Sequence, residues 1–399
     1  MKLIQPSQIS GSITAPMSKS IVQRTMISDV FAGRFNYPLV SDAPIDVEMT
    51  YKALKNIIEG NTAFLGESGF CFRVLPIIAS LLSDNNTFIL SESLAKRPND
   101  DIMGSLGFNS ILSKISNNQF ELSVAGKLNP GVFHIDGSKT SQTLTGLLMA
   151  LPLLANPSII NVSNLQSRSY VDLTIDILSK YSIEVFHSNY EVFHIPEAQK
   201  YNFVENCDEG DWSSSAFIMT AGAISSLSTI CIKDLNFNSK QADREILDIF
   251  NKSGVQYRLY KDCIYIEKSH VRSFVHDFSN CPDLVPAIIP LAINSDDICI
   301  LKNVARLKYK ESNRIESLIS QYGKCGVRLQ LDGDDLIVYP AKFQGNSVST
   351  FNDHRIAMSL AVAALNGTNV TSIDNPECTA KSYPEFWNDL LKLGAEIYE

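Results

Sequence analysis

A fold of the α/β or α+β class, in one or two domains, follows from three observations on this chain. Its 399 residues are 45% hydrophobic, enough to bury large cores, while a mean hydropathy of +0.01 marks a soluble protein. Segments with helical spacing alternate with short segments of strand character. One local design also recurs, a small or polar turn set between a strand and an apolar helix.

That design is first met at Pro16-Met17-Ser18-Lys19-Ser20. Ile9 to Ile13 alternates ahead of it as a strand, and Ile21, Val22, Met26 and Ile27 recur behind it at helical spacing. Ser18 or Ser20 is the expected cap. Lys19 stands at the helix start, where the dipole disfavours a cation by about 0.3–1 kcal/mol. It is either a solvated surface lysine or part of an anion site shared with free backbone N–H groups. The same character returns at Gly66-Glu67-Ser68-Gly69, at Asp136-Gly137-Ser138-Lys139-Thr140-Ser141-Gln142 and at Glu209-Gly210-Asp211-Trp212-Ser213-Ser214. Two further copies are Ser279-Asn280-Cys281-Pro282-Asp283 and Phe351-Asn352-Asp353-His354-Arg355. From Gly66 onward they lie roughly 70 residues apart, the first interval being nearer 50. Six strand–turn–helix units are therefore expected, several with helix N-termini converging on one place.

Between these junctions, residues 21–60 read as helix, loop, helix, with Val47, Tyr51, Leu54, Ile57 and Ile58 on one face. A helix is expected over Val74 to Leu82 with Arg73 at its start, then a strand over Thr87 to Leu90 and a helix over Asp100 to Leu106. Arg97 precedes Pro98 and is expected to be extended, as a surface charge or a ligand contact. Ile159 to Val162 reads as a strand, and the turn Gln166 to Tyr170 leads into a helix over Val171 to Lys180. Ser167 and Tyr170 in that turn are compatible with simple capping.

In the second half, helices are expected over Ser213 to Ala223 and Asp243 to Lys252, and strands over Thr229 to Ile232 and Cys263 to Ile266. Asp283 heads an apolar helix, as a cap or as a reacting group. Arg306 to Glu316 is the densest charge cluster, in which Lys310 and Arg314 are expected one helical turn apart on the same face. Asp353, His354 and Arg355 head a helix over Ile356 to Leu365 and need hydrogen-bond partners if they point inward. Lys381 precedes a last helix.

A formal charge of −9 and a pI near 5.3 argue against a nucleic-acid partner, which selects a basic face, but leave room for a local cationic pocket. No run approaches the roughly 18 uninterrupted apolar residues of a membrane span, and no signal peptide is evident. Eight cysteines without a CxxC pair fit reduced, mostly buried thiols in a cytoplasmic protein. No His/Cys cluster stands at ligand spacing, so no metal is expected. Gly137-Ser138-Lys139-Thr140 lacks the glycines of a Walker A loop, and no GxGxxG follows a strand. ATP and nicotinamide cofactors are therefore not expected.

Taken in order, ten stretches resemble the enolpyruvyl transferase family, in its 5-enolpyruvylshikimate-3-phosphate synthase branch, over nearly the whole chain. They are PMSKSIVQR from Pro16, GESGFCFR from Gly66, KRP from Lys96, SKTSQ from Ser138 and SRSY from Ser167, then EGDWSSS from Glu209, PDLVP from Pro282, KESNR from Lys310, NDHRIAM from Asn352 and CTAKSYP from Cys378. The resemblance implies a two-domain enolpyruvyl transferase fold, each domain holding three βαβαββ-type repeats, with the active site in the interdomain cleft. Residues 1–16 and 208–399 would form one discontinuous domain, on the phosphoenolpyruvate and base side, and 17–207 the shikimate 3-phosphate side. The implied reaction moves the enolpyruvyl group of phosphoenolpyruvate to the 5-hydroxyl of shikimate 3-phosphate, through a tetrahedral intermediate that loses phosphate. The protein would be a cytoplasmic monomer with no cofactor, and ligand would close it.

Residue by residue, the resemblance makes Lys19, Ser20, Arg24, Thr140, Ser141, Gln142, Ser167, Tyr170, Asp283 and Lys310 contacts of shikimate 3-phosphate. Lys19, Gly69, Arg97, Gln142, Arg314, Arg355 and Lys381 fall on the phosphoenolpyruvate pocket. Asp283 is the implied base for the 5-hydroxyl, and Glu311 or a nearby lysine the acid for the methylene carbon. Lys19 and Lys381 would stabilise developing charge, with His354 beside the pocket. Some positions depart from the commoner pattern: Met17 replaces a glycine, Glu67 and Phe70 replace smaller or neutral residues, and Asn313 replaces an aspartate. Arg306 falls where some members have an asparagine contact.

These residue types suit the ligands. Both are polyanions, and with a screening length of about 8 Å only nearby cations decide their binding. Lys19, Arg24, Arg73, Arg97, Lys310, Arg314, Arg355 and Lys381 supply such a cluster in an otherwise acidic chain. The related transferase acting on UDP-N-acetylglucosamine uses a cysteine on a loop in its first half, whereas Cys71 is better placed to pack than to react. RNA 3′-phosphate cyclases reuse related repeats, but the acidic charge opposes that reading. A non-catalytic phosphosugar-binding protein would not need both an acid and a base.

Overall fold

The computed structural model describes residues 1–35, 37–97, 104, 106–205 and 207–399. Two compact units emerge, one made of Met1–Ser18 with Glu209–Glu399 and the other of Lys19–Asp208.

The discontinuous unit repeats one plan three times. Two parallel strands joined through a helix lie beside an antiparallel pair. In the first sheet Ile9–Thr14 runs parallel to Ser226–Lys233, followed by Cys263–Ile266 and Tyr257–Tyr260. In the second, Val275–Asp277 runs parallel to Cys299–Lys302, followed by Asp335–Val338 and Leu329–Asp332. The third begins with Ser347–Val348 parallel to Thr371–Ile373, then takes Lys2–Ile4 as an interior strand with Ile397–Tyr398 outside it. The crossover helices Trp212–Ser225, Val285–Ala292 and His354–Leu365 pack on one another and are buried on every face, which explains their uninterrupted apolar character. Each starts at a junction carrying a carboxylate: Asp211, Asp283 or Asp353. Where the chain re-enters this unit, Met17 pairs with Gly210. A Cβ at Gly210 would stand 2.3 Å from the Asp234 carbonyl oxygen, so only glycine fits there.

The Lys19–Asp208 unit carries the same plan twice. Ala63–Gly66 runs parallel to Asn85–Ser91, with Gln119–Ala125 and Asn109–Lys114 beyond. Val132–Asp136 runs parallel to Ser158–Ser163, with Val192–Ile195 and Phe186–Ser188 beyond. The crossover helices Gly69–Leu82 and Gln142–Ala150 pack together. Helix Lys19–Phe31 packs against Ile45–Ile58 and Arg168–Lys180. Among the described residues, this first stretch contributes helices without a sheet of its own. The shorter first interval between junctions already set it apart.

Several local expectations need adjusting. Helix Gly69–Leu82 starts five residues before the predicted Val74, because Ser68 caps it by accepting from the Cys71 N–H. Arg73 therefore lies inside its first turns. Lys310 and Arg314 do not share a helix: Lys310 ends a 3-10 turn over Ala305–Tyr309, and Arg314 opens the helix Arg314–Lys324. Asn313 breaks the path between them, its side chain accepting from the Glu316 N–H at 3.5 Å. Asn313 thus does the capping that an aspartate would do. The helix expected from Asp243 begins as a 3-10 turn, Ala242–Glu245, before Ile246–Ser253. The Ser18 hydroxyl donates to Gln241 Oε1. The expected helix over Asp100 to Leu106 falls largely outside the described residues, as does Pro98. Among the described residues, no helix is long and apolar enough to cross a membrane.

Candidate active site

In the Lys19–Asp208 unit, the junctions set four cations, Lys19, Arg24, Arg73 and Arg97, among hydroxyls, amides and carbonyls. Lys19, at the first turn of its helix, pairs with Asp46 at 3.0 Å. Arg24, one turn on and 3% exposed, donates to neutral oxygens: Thr174 Oγ1 at 2.9 Å, the Ser20 carbonyl at 2.7 Å and Thr145 Oγ1 at 3.4 Å. Its guanidinium lies over the Phe70 ring, 5.2 Å from the centroid, so that departure from the family pattern supplies a cation–π face. Burial lowers the Arg24 pKa to about 10, with Tyr170 acting the other way.

Arg73 donates to Gln142 Oε1 at 2.8 Å and to the Gly69 carbonyl at 3.4 Å. Gly69 closes this group. A Cβ there would stand 3.1 Å from an Arg73 nitrogen, 3.2 Å from an Arg97 nitrogen and 3.7 Å from Gln142 Oε1. Gly69, Arg73, Arg97 and Gln142 are therefore brought together.

Thr140 Oγ1 accepts from the Gln142 N–H, while Ser141, at the N-cap of Gln142–Ala150, makes no side-chain cap. Ser167 heads Arg168–Lys180 in a left-handed conformation, φ +55°. Such backbone strain on a non-glycine residue tends to gather at functional sites. Glu67, the other departure beside Gly69, accepts from Ser93 at 3.0 Å.

The discontinuous unit holds a different arrangement. Arg314, 1% exposed, binds three carboxylates: Asp353 at 2.8 Å, Asp283 at 2.9 Å and Glu311 at 2.5 Å. Burial alone would lower its pKa, but Asp353, Glu311 and Asp283 together raise it. Asp283 also meets Lys310 at 3.1 Å and Arg355 at 3.5 Å, and Arg355 donates to the Asp283 carbonyl at 3.1 Å. Burial pushes the Asp283 carboxyl up, yet Arg355, Lys310 and Arg314 overcome this and hold it well below the usual carboxylate range. Lys381 stands 3.9 Å from Glu311. Asp353 caps helix His354–Leu365 through the Arg355 N–H, and its other oxygen accepts from Ser312. His354 is buried with Nδ1 3.8 Å from Asp353. Asp243, fully buried, accepts from the Ser213 hydroxyl. Burial pushes its carboxyl up to about 7 against the pull of Arg355.

Sequence reasoning missed Asp46, Asp243 and the anchoring part of Asp353. Asp46 and Asp243 occupy helix starts, where a carboxylate reads as ordinary capping. Cys71 is fully buried beside Thr50, and burial pushes its thiol up to about 12, unlike a reactive cysteine.

Each unit thus carries a cation-rich cluster, and in the discontinuous unit the carboxylate of Asp283 is held among three of the cations. The fold matches the solved EPSP synthase from Acinetobacter baumannii with a TM-score of 0.76 at 18% identity, covering 100% of both chains. The EPSP synthase (3-phosphoshikimate 1-carboxyvinyltransferase) family model matches residues 41–390. The 3-phosphoshikimate 1-carboxyvinyltransferases of Clostridium kluyveri and Clostridium novyi are 35% and 34% identical, each over 99% of this chain and 98% of the relative. The chain belongs to the EPSP synthase family, and is a carboxyvinyltransferase of the shikimate pathway.

Proposed function

We propose that both clusters serve one reaction, transfer of the enolpyruvyl group of phosphoenolpyruvate to the 5-hydroxyl of shikimate 3-phosphate with release of phosphate. The observation that carries this reading is Asp283, a carboxylate ringed by Lys310, Arg314 and Arg355. In that setting it is a weak base. Substrate anions that draw Lys310 and Arg355 toward themselves would free the carboxylate and raise its basicity when acceptor is present.

Asp283 then takes the 5-hydroxyl proton as that oxygen bonds to C2 of phosphoenolpyruvate. Glu311, or Lys381 beside it, delivers a proton to the methylene carbon. In the second half of the reaction the C2–O bond to phosphate breaks, a methyl proton is lost and the double bond re-forms. Lys19 and Lys381 stabilise the charge on the tetrahedral intermediate. Lys19, Ser20, Arg24, Thr140, Ser141, Ser167 and Tyr170 hold shikimate 3-phosphate, with Gln142 touching both ligands. Gly69, Arg97 and Arg355 hold phosphoenolpyruvate. Arg314, committed to three carboxylates, orients Asp283 and Glu311 while contributing charge to the pocket.

The protein is read as a cytoplasmic monomer working without a cofactor. Its eight free thiols support a reducing compartment, and light scattering checks the monomer. Phosphate release from phosphoenolpyruvate tests the reaction directly. It should require shikimate 3-phosphate, and release driven equally by UDP-N-acetylglucosamine would overturn the choice of acceptor.

A further inference from the structure

The discontinuous unit holds one buried carboxyl to which the proposed reaction gives no task. Asp243 stands in the turn Ala242–Glu245, 0% exposed. The Ser213 hydroxyl donates to its Oδ2, while among the described residues Oδ1 has no hydrogen-bond partner and the carboxyl no ion pair. Neighbouring carboxylates are provided for differently. Asp283 meets Lys310, Arg314 and Arg355, and Asp353 meets Arg314. Asp211 accepts from the Ser213 N–H and the Ser214 hydroxyl. A carboxylate taken out of water needs a cation or several donors. One hydroxyl does not meet that need, and the folded chain therefore favours the neutral acid.

The charges around it act in the same sense. Burial pushes the Asp243 carboxyl up to about 7 against the pull of Arg355, and the anions Asp283 and Asp211 add to the push. Cys281 also faces it, and burial together with Asp243 and Glu245 keeps that thiol protonated. On its own turn, Arg244 donates to the Phe237 carbonyl and Glu245 lies 3.7 Å from His276 Nε2. On helix Ile246–Ser253, which packs on the turn, Asp248 and Lys252 pair with each other at 2.6 Å.

We propose that Asp243 is a positioning residue for phosphoenolpyruvate. Held as the neutral acid, it leaves Arg355 to Asp283 and to the incoming carboxylate; once ionised, it competes for that cation. This role rests on the reading that Arg355 holds phosphoenolpyruvate. Ionised Asp243 weakens binding rather than proton transfer, because a further negative charge acting on Asp283 makes that base stronger. Bound phosphoenolpyruvate, an anion drawing on Arg355, in turn holds the Asp243 proton more tightly. Ionisation therefore shows in kcat/KM, which reports the enzyme before phosphoenolpyruvate binds, and not in kcat, which reports the complex.

Phosphate release at saturating shikimate 3-phosphate tests this in the wild-type chain and in Asp243→Asn, which keeps the shape and cannot ionise. Ligand ionisation is common to both chains, so their ratio isolates Asp243. From pH ~6 to ~8.5 the wild-type kcat/KM for phosphoenolpyruvate should fall at least ~10-fold relative to the variant's, with the ratio of kcat values unmoved. A constant ratio in kcat/KM, or an equal fall in kcat, would overturn the role. A second measurement needs no activity. With aspartate carboxyls labelled with ¹³C, the resonance missing from Asp243→Asn should titrate near pH ~7, and a midpoint below pH ~5 would show a resting carboxylate and sink the proposal. Absence of phosphate release from phosphoenolpyruvate would remove the reaction and this role with it while leaving that titration unchanged, so the two failures are told apart.

Discussion

The two cation clusters differ in how their charge is compensated. In the Lys19–Asp208 unit, Lys19 pairs with Asp46, Arg24 donates to the hydroxyl of Thr174 and the carbonyl of Ser20, and Arg73 donates to Gln142 and the Gly69 carbonyl. In the discontinuous unit, Lys310, Arg314, Arg355 and Lys381 meet Asp283, Glu311 and Asp353 in one ion network. On the proposed function, the first arrangement offers its cations to phosphate. The second is near neutrality, and its carboxylates are controlled by their neighbours, as proton transfer requires. Folding stability and substrate affinity should therefore respond oppositely to losing a cation from each.

The largest effect is expected where the network is anchored. Arg314→Ala takes a cation from three carboxylates, of which the fully buried Asp353 loses its closest one, and should cost ~3–5 kcal/mol of folding stability, measured by denaturant unfolding. A loss below about 1 kcal/mol would mean that the network is not what holds this cluster. Next comes Asp283→Ala, which should lower kcat at least ~100-fold with the fold intact. Near-wild-type turnover would remove Asp283 from the role of base.

In the other unit, Arg24→Met should change stability by less than about 1 kcal/mol, because removing a desolvated cation that lacks a carboxylate partner among its hydrogen bonds offsets the bonds lost. It should nonetheless weaken shikimate 3-phosphate at least ~10-fold, since a charge-assisted hydrogen bond contributes about 1.5–3 kcal/mol. Large destabilisation with unchanged affinity would reverse the contrast.

The smallest effect concerns pH. The Asp243 carboxyl, raised from 3.8 to about 7 by burial, keeps its proton in the folded chain after the unfolded chain has lost it. Its contribution to stability therefore falls as pH rises between those values. Asp243→Asn should melt with the wild-type chain near pH ~4 and ~2–4 °C above it near pH ~8. An equal difference at both pH values would show that Asp243 does not titrate in this window.

Much of this was legible because junction chemistry is local. The turns at Gly66, Asp136, Glu209, Cys281 and Asn352 each precede a crossover helix, and periodicity located those helices to within a few residues. What stayed hidden depends on distance in the chain. Asp46 finds Lys19 27 positions away, and Arg314 finds Asp353 39 positions away. Nothing in either segment distinguishes a carboxylate that anchors a cation from one that caps a helix. Lys310 and Arg314 show the reverse case. Their spacing suggested one helix, yet a cap at Asn313 separates them, and they share Asp283 through tertiary packing instead.

The third sheet of the discontinuous unit has a bearing on synthesis. Lys2–Ile4 is translated long before its two neighbours, Thr371–Ile373 and Ile397–Tyr398. The nascent chain must carry Lys2–Ile4 unpaired while the Lys19–Asp208 unit is already complete. Closing this sheet thus waits for Ile397–Tyr398 to be made, and removing that strand would reopen the sheet along one edge.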